Sequence, residues 1–334
     1  MTLQTVMKDK PLSRAESRKI VTDMMEGKYS NEEMAAILAI LAYRGESPEE
    51  ISGFAQGMID KATNISLPYE LLDTCGTGGD SSHTYNVSTA SAILLSSMGV
   101  KVAKHGNRSV SSKTGSADVL EIMNIPFQAN IYEAETALKD HSLSFFFAPM
   151  YHEAMKFVAP VRKALKQRTI FNILGPLTNP AKASRRIIGV YNLETARKMA
   201  EASLSLPISQ ALFVTGEDGL DEITVQGKTH IIELRNGEIR EYTITPEDVG
   251  LTTGSLSETL VYTPEQSARM IQDIFNKRAS AAATDLLLIN AGAALYIADH
   301  SPSIKSGVEA AREALGDSVQ AHLNNLQQKG AGSL

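Results

Sequence analysis

The chain has 334 residues, 43% apolar and 21% charged, a globular balance and long enough for two domains. A net charge of −6 argues against general nucleic-acid binding, and the single cysteine, Cys75, excludes an intramolecular disulfide and fits a reducing compartment. Residues 1–10 carry charge without an apolar run, so no signal peptide is expected, and no run of about 18 apolar residues suggests a membrane span.

The first third reads as helix. Ser13, Ser30 and Ser47 each stand three residues before a glutamate (Glu16, Glu33 and Glu50), which makes three capping boxes, and Pro48 takes a first-turn position where proline is tolerated. Met34, Ile37, Leu38 and Leu41 recur at helical spacing with alanines between them. That helix is apolar on more than one face, so it packs either against a partner subunit or inside a core.

From Leu71 the pattern turns to β then α. Leu71 and Leu72 suit a strand end and lead into Asp73-Thr74-Cys75-Gly76-Thr77-Gly78-Gly79-Asp80, with Asn86-Val87-Ser88-Thr89 opening an apolar helical run over 90–98. Glycines leave main-chain N–H groups uncovered, and a helix N-terminus adds its dipole, so strand, turn and helix together favour an anion. Asp80 would repel phosphates unless it takes a sugar hydroxyl or a metal, which points to a ribose phosphate with magnesium. A Walker loop is excluded because the next lysine is Lys101, and the dinucleotide fingerprint fails because position 81 is Ser81. Cys75 reads as a small residue at a strand end rather than a nucleophile, since no base is near it in the sequence.

Val100 and Val102 alternate with polar residues, so Lys104-His105-Gly106-Asn107-Arg108-Ser109-Val110-Ser111-Ser112 is expected to leave a short strand as an anion-binding loop of high donor density. The two loops, one helix and one strand apart, would lie together at the carboxyl ends of neighbouring strands, in the crevice where open α/β sheets bind ligands. Strands are expected at 71–74, 100–103, 143–147, 186–191 and 211–215, with 228–234 and 238–244 as a hairpin around Asn236-Gly237. The sheet is therefore mixed, with helices on its faces. Thr263 to Gln266 reads as a further capping box, and 279–297 and 307–315 as helices.

Two more clusters carry chemistry. Arg162 could hold a carboxylate in bidentate geometry, implying an acidic second substrate, or form a surface ion pair. His152, ten residues earlier, would share its face on a continuous helix, but Pro149, Pro160 and Pro176 stand against one, and a plain core or surface histidine is the other reading. Residues 216–222, Gly-Glu-Asp-Gly-Leu-Asp-Glu, follow an apolar strand and suit either magnesium or a solvated acidic turn.

Taken together, Gly76-Thr77-Gly78-Gly79-Asp80, Asn86-x-Ser88-Thr89, Lys104 to Arg108, Gly115-Ser116-Ala117-Asp118, Arg168-Thr169-Ile170-Phe171-Asn172 and Gly219-Leu220-Asp221-Glu222 resemble the anthranilate phosphoribosyltransferase family over nearly the whole chain. The resemblance implies a small N-terminal helical domain plus a larger α/β domain with a mixed, mainly parallel central sheet flanked by helices, of the nucleoside phosphorylase/phosphoribosyltransferase kind. The helical domain would be residues 1–68, joined by helices from about 150–180, and the catalytic domain 69–334. The family moves phosphoribosyl from 5-phosphoribosyl 1-diphosphate to the amino group of anthranilate in tryptophan biosynthesis.

Carried over by motif, Gly76, Gly79, Asp80, Thr84, Asn86, Val87, Ser88, Thr89, Lys104, His105, Gly106, Asn107, Arg108, Ser109, Val110, Ser111, Ser112 and Ser116 would hold the sugar diphosphate. Gly76, Asn107 and Arg162 would contact anthranilate, with His105, His152 and Pro176 along its path. Ser88, Asp221 and Glu222 would bind Mg2+, two ions per subunit, and no residue is assigned as general base. The resemblance also implies a cytoplasmic homodimer formed through the helical domain, and suggests association with anthranilate synthase components, with neither nucleic acid nor membrane as partner. The chain departs from the family at Lys166 and Gln167, where a glycine and an apolar residue are usual, and at Glu153, where proline is usual. The alternatives, a pyrimidine nucleoside phosphorylase or an inactive nucleic-acid-binding relative, are disfavoured by the loop sequences and by the retained Asp221, Glu222 and Arg162.

Overall fold

The computed structural model describes residues 3–8, 10–80, 82–108, 115–127 and 130–330. The chain opens with α1 (Leu3–Val6), α2 (Arg14–Met25), α3 (Asn31–Arg44) and α4 (Pro48–Lys61). All three expected capping boxes are formed, each serine accepting the N3 amide while its glutamate accepts the cap amide. Glu50 goes further: fully buried, it also accepts the Leu12 amide at 2.9 Å and pairs with Arg44, so one cap residue joins the start of α2 to the ends of α3 and α4.

The α/β part follows as β1 (Leu72–Gly76), α5 (Val87–Ser97), β2 (Val102–Gly106), α6 (Ser116–Ile122), α7 (Ile131–His141), β3 (Leu143–Phe147), α8 (Ala148–Tyr151), α9 (Ala159–Leu165), α10 (Phe171–Leu174), β4 (Arg185–Gly189), α11 (Leu193–Ser203), β5 (Gln210–Gly216), β6 (Thr229–Arg235), β7 (Glu238–Ile244), α12 (Pro264–Phe275), α13 (Ala281–Ile297), α14 (Ile304–Ala314) and α15 (Asp317–Gly330). The strands form one sheet in the order β3-β2-β1-β4-β5-β6-β7. β1 to β5 pair in parallel, and β6 and β7 are antiparallel around the Asn236-Gly237 turn, as expected.

Strand alternation divides the core. Ile187, Leu212, Val214 and Ile231 face a cluster with α5 and α13. Ile188, Phe213 and Ile232 face the other side, where the first four helices, residues 158–177 and α11 pack. The small N-terminal bundle thus shares its core with the β4–β6 part of one sheet face, while Ala103 of β2 and Phe146 of β3 pack in a separate cluster with α7. Among the described residues no helix is long and apolar enough to cross a membrane.

Three expectations need correction. β2 begins at Val102 and runs through Gly106, so Lys104 and His105 are strand residues rather than loop residues; the Lys104 ammonium and the His105 amide are bonded inside the fold, which hides the strand from composition. His152 and Arg162 share no helix, because Pro149 and Pro160 start separate pieces and a 3-10 turn, Glu153–Phe157, lies between. Gln266 accepts the Tyr262 amide, one residue before the cap, so Thr263 caps α12 without a reciprocal box.

Candidate functional site

The parallel strands β1 and β2 are neighbours, so both expected loops leave the same sheet edge. After β1 the chain turns through Gly78 (φ 68°) and Gly79 (φ 80°), both in the left-handed region that only glycine adopts cheaply. The turn is held from two sides. Gly78 N–H donates to Asp221 Oδ2 at 2.7 Å, and Arg168 donates to the Gly79 carbonyl while stacking on Tyr191 with its guanidinium carbon 4.0 Å from the ring centroid. Asp80 accepts from the Ser82 hydroxyl and receives the Asp221 amide at 3.5 Å. Thr84 bridges Leu260, and Asn86 caps α5 by accepting the Thr89 amide at 3.0 Å, with Val87 buried behind it. The α5 N-terminus, with Ser88 and Thr89 in its first turn, therefore opens beside the glycine turn.

β2 separates two chemistries by its pleat. Lys104 points to the α5 face, its Nζ donating to Thr74 O at 2.5 Å and Ser88 Oγ at 3.0 Å. His105 points to the opposite face, its Nδ1 lying 3.1 Å from Gly175 O. There it meets His152, ring centroids 5.3 Å apart, whose Nε2 lies 3.1 Å from Thr178 O. With these N–H groups given to carbonyls, His105 Nε2 and His152 Nδ1 are left as buried nitrogens without a partner. Burial pushes His105 down to about 4, and burial with His105 beside it takes His152 down to about 3, so both rings are neutral at physiological pH.

The segment after α10 is gripped at successive carbonyls. Besides the two histidines, Arg186 donates to Pro176 O at 2.6 Å, and Asn179 donates to Asp73 Oδ2 and to Ala103 O, each at 2.8 Å. Asp73 in turn accepts the His105 amide at 3.0 Å. A fully buried carboxylate thus ties the segment carrying Pro176 to the strand carrying His105. Sequence reasoning missed Asp73, Asn179 and Arg186; for Asp73 and Arg186 the available signal was charge inside a strand, and for Asn179 there was none.

Arg162 lies half-buried on α9, its guanidinium carbon 5.6 Å from the Phe171 ring centroid. Desolvation lowers its pKa with no charged neighbour offsetting it. Arg108 turns to α6, pairing with Asp118 at 2.9 Å and Glu121 at 2.7 Å, while Asn107 O receives the Ser116 hydroxyl at 3.3 Å. Ser109, Val110, Ser111 and Ser112 lie outside the described residues.

The acidic pair sits under the glycine turn. Burial, with Asp80 and Glu222 beside it, raises the Asp221 carboxyl, and burial raises Glu222 to about 8 against the opposing pull of Lys104. Glu222 shares a small cavity with Thr74, Ser88, Ser91 and Asn290, and the buried Ser91 hydroxyl has no partner there. Among the described residues no three His, Cys, Asp or Glu side chains form a ready metal cage. Two carboxylates and a hydroxyl nevertheless suit Mg2+, which binds few protein ligands and completes its shell with water and phosphate oxygens. Burial, with Asp73 close by, pushes the Cys75 thiol up to about 12, so it is no nucleophile.

Known proteins share this fold. Residues 2–62 match the family described as glycosyl transferase family, helical bundle domain, and residues 68–319 match glycosyl transferase family, a/b domain. The chain is 47% identical to the anthranilate phosphoribosyltransferase of Bacillus licheniformis over 98% of its own length and 97% of that protein. It is 45% identical to that of Bacillus subtilis with the same coverage, 98% and 97%. Among solved structures, that of the Thermus thermophilus enzyme superposes with a TM-score of 0.92 at 36% identity, covering 98% of this chain and 99% of that one. The Saccharomyces cerevisiae enzyme in complex with PRPP and Mg superposes with a TM-score of 0.89 at 25% identity, covering 99% and 97%.

Proposed function

Because this chain belongs to the anthranilate phosphoribosyltransferase family, we infer that it transfers the phosphoribosyl group of 5-phosphoribosyl 1-diphosphate to the amino group of anthranilate, giving N-(5-phosphoribosyl)anthranilate and diphosphate in tryptophan biosynthesis. One observation carries the reading beyond kinship: the pleat of β2 sends Lys104 toward Ser88 on the α5 side and His105 toward His152 on the other. A phosphate-and-metal side and an aromatic-acceptor side thus meet at one strand end.

On this reading Gly76, Gly79, Asp80, Thr84, the 86–89 segment, the 104–108 segment with residues 109–112, and Ser116 hold the sugar diphosphate. Uncovered main-chain amides and the α5 N-terminus favour its negative charge. Ser88, Asp221 and Glu222 hold two Mg2+ per subunit. Bound magnesium neutralises the charge that builds on departing diphosphate. Lys104, fixed between Thr74 O and Ser88, adds positive charge on the same side.

Arg162 takes the anthranilate carboxylate, with Gly76 and Asn107 near the acceptor and His105, His152 and Pro176 along its path. An aromatic amine is unprotonated near neutral pH, so it attacks the anomeric carbon without a protein base, and none is assigned. The C–N bond forms as the C–O bond to diphosphate breaks, and the ammonium proton then passes to solvent. The chain's contribution is to orient two substrates in line and to surround developing charge with fixed dipoles.

We take residues 1–68 with the 150–180 helices as the helical domain and 69–334 as the catalytic domain. We place the enzyme in the cytoplasm as a homodimer joined through the helical domain. Tyr43, 95% exposed on an α3 face with half-buried Ile40, supports that surface. Association with anthranilate synthase components is part of the same proposal. The test is loss of anthranilate fluorescence on adding the sugar diphosphate and Mg2+ to purified protein. Turnover that needs all three supports the reading, and unchanged fluorescence refutes it.

A further inference from the structure

The acidic segment has an unusual tether. It leaves β5 at Gly216 and lies outside the sheet, so Ile223 has no strand to pair with. Asn290 of α13 takes the place of that strand: Ile223 N–H donates to Asn290 Oδ1, and Asn290 Nδ2 donates to Ile223 O, both at 2.9 Å. Its second amide hydrogen goes to Leu286 O, also at 2.9 Å, one helical turn back. The orientation is fixed, because a flipped amide would set N–H against N–H and oxygen against two carbonyls.

Asn290 is 2% exposed in an otherwise apolar run of α13, where leucine would fill the space without a polar group to satisfy. The other flank of the segment is equally constrained. A Cβ on Gly189, at the end of β4, would lie 1.6 Å from the Asp221 carbonyl oxygen, so the main chain of Asp221 rests directly on the sheet. Asp221 and Glu222 are therefore wedged between β4 and a side-chain amide, and Glu222 opens onto the cavity that Asn290 and Ser88 also line.

We propose that Asn290 is a positioning residue for the metal-binding acidic pair, acting through the Ile223 backbone to aim Glu222 at the Ser88 side of the cavity. This rests on the assignment of Asp221 and Glu222 as Mg2+ ligands. Outer-shell groups that orient metal ligands typically carry about 10–100-fold in metal affinity.

The experiment titrates Mg2+ in the presence of 5-phosphoribosyl 1-diphosphate against the full-length protein, read by thermal shift and by steady-state rate. Asn290→Asp places an oxygen against the Ile223 and Leu286 carbonyls, and Asn290→Ser shortens the tether. Both are expected to raise the Mg2+ midpoint about 10-fold or more. High Mg2+ should restore kcat, the anthranilate KM should stay unchanged, and amide exchange at Ile223 should quicken. Wild-type Mg2+ midpoints in either folded variant overturn the proposal. So does failure of both variants to fold with Mg2+ and sugar diphosphate present, which makes the amide a fold determinant. Glu222→Gln separates the premise: a wild-type Mg2+ midpoint there removes the metal assignment itself, and the role of Asn290 with it.

Discussion

Arg162→Met offers an unusually clean separation of binding from stability. The guanidinium is half-buried over Phe171, and desolvation lowers its pKa with no anion nearby to offset the cost. Methionine keeps most of the stem packing and removes the uncompensated charge, so the melting temperature should stay level or rise slightly. A charge-assisted bidentate contact to a carboxylate is worth about 1.5–3 kcal/mol, which is about 10–150-fold in kcat/KM for anthranilate. Initial rates followed by anthranilate fluorescence at saturating sugar diphosphate give that number directly. The KM of the sugar diphosphate should not move. Aniline, which lacks the carboxylate, should lose to anthranilate by a large factor with the wild type and by little with the variant. A variant that melts several degrees lower and weakens both substrates equally would make Arg162 structural and refute the reasoning.

Gly79→Ala forces a side chain into a φ of 80° and sets its Cβ 3.1 Å from Arg168 Nη2; a cost of about 1–2 kcal/mol should lower the melting temperature by about 2–5 °C and raise the KM of the sugar diphosphate. Lys166 occupies the left-handed position (φ 51°) that ends α9, so Lys166→Gly should raise the melting temperature by about 1–3 °C, measured by calorimetry. The buried histidines predict a pH dependence. Unfolded, their rings bind protons near pH 6.5, whereas folded His105 and His152 do so only near about 4 and about 3. The unfolded chain therefore holds more protons between about pH 6.5 and 3, so their contribution is full above 6.5 and falls as the pH drops through that window. Each ring contributes a slope of about 1.4 kcal/mol per pH unit at most. Folded His152→Asn protein should lose about one proton from the slope measured by denaturant unfolding, and an unchanged slope would contradict its burial as a neutral ring.

Much of this molecule was legible from its residues because local and global signals agree. The three serine–glutamate boxes, the glycine turn before α5 and the Asn236-Gly237 hairpin each fix backbone geometry with their own side chains. What stayed hidden depends on distant partners. Lys104 and His105 look like loop residues until Thr74 and Ser88 are seen to hold the Lys104 ammonium, and Asp73 the His105 amide, inside a strand. Asp73, Asn179 and Arg186 act across 32 or more residues of sequence or by turning back on a neighbouring carbonyl, which no spacing rule captures. Asn290 reads as a stray amide in an apolar helix, and only the path of the acidic segment gives it a purpose. The departure at Lys166 was visible as an odd residue, whereas its left-handed backbone was not.

The most direct test is a crystal structure with 5-phosphoribosyl 1-diphosphate, Mg2+ and an unreactive anthranilate analogue. Diphosphate should lie against the glycine turn and the start of α5, with metal joining it to Asp221 and Glu222, and the analogue's carboxylate should sit on Arg162 with its ring toward His105 and His152. A sugar diphosphate bound away from that turn, or an analogue whose carboxylate ignores Arg162, would contradict the account.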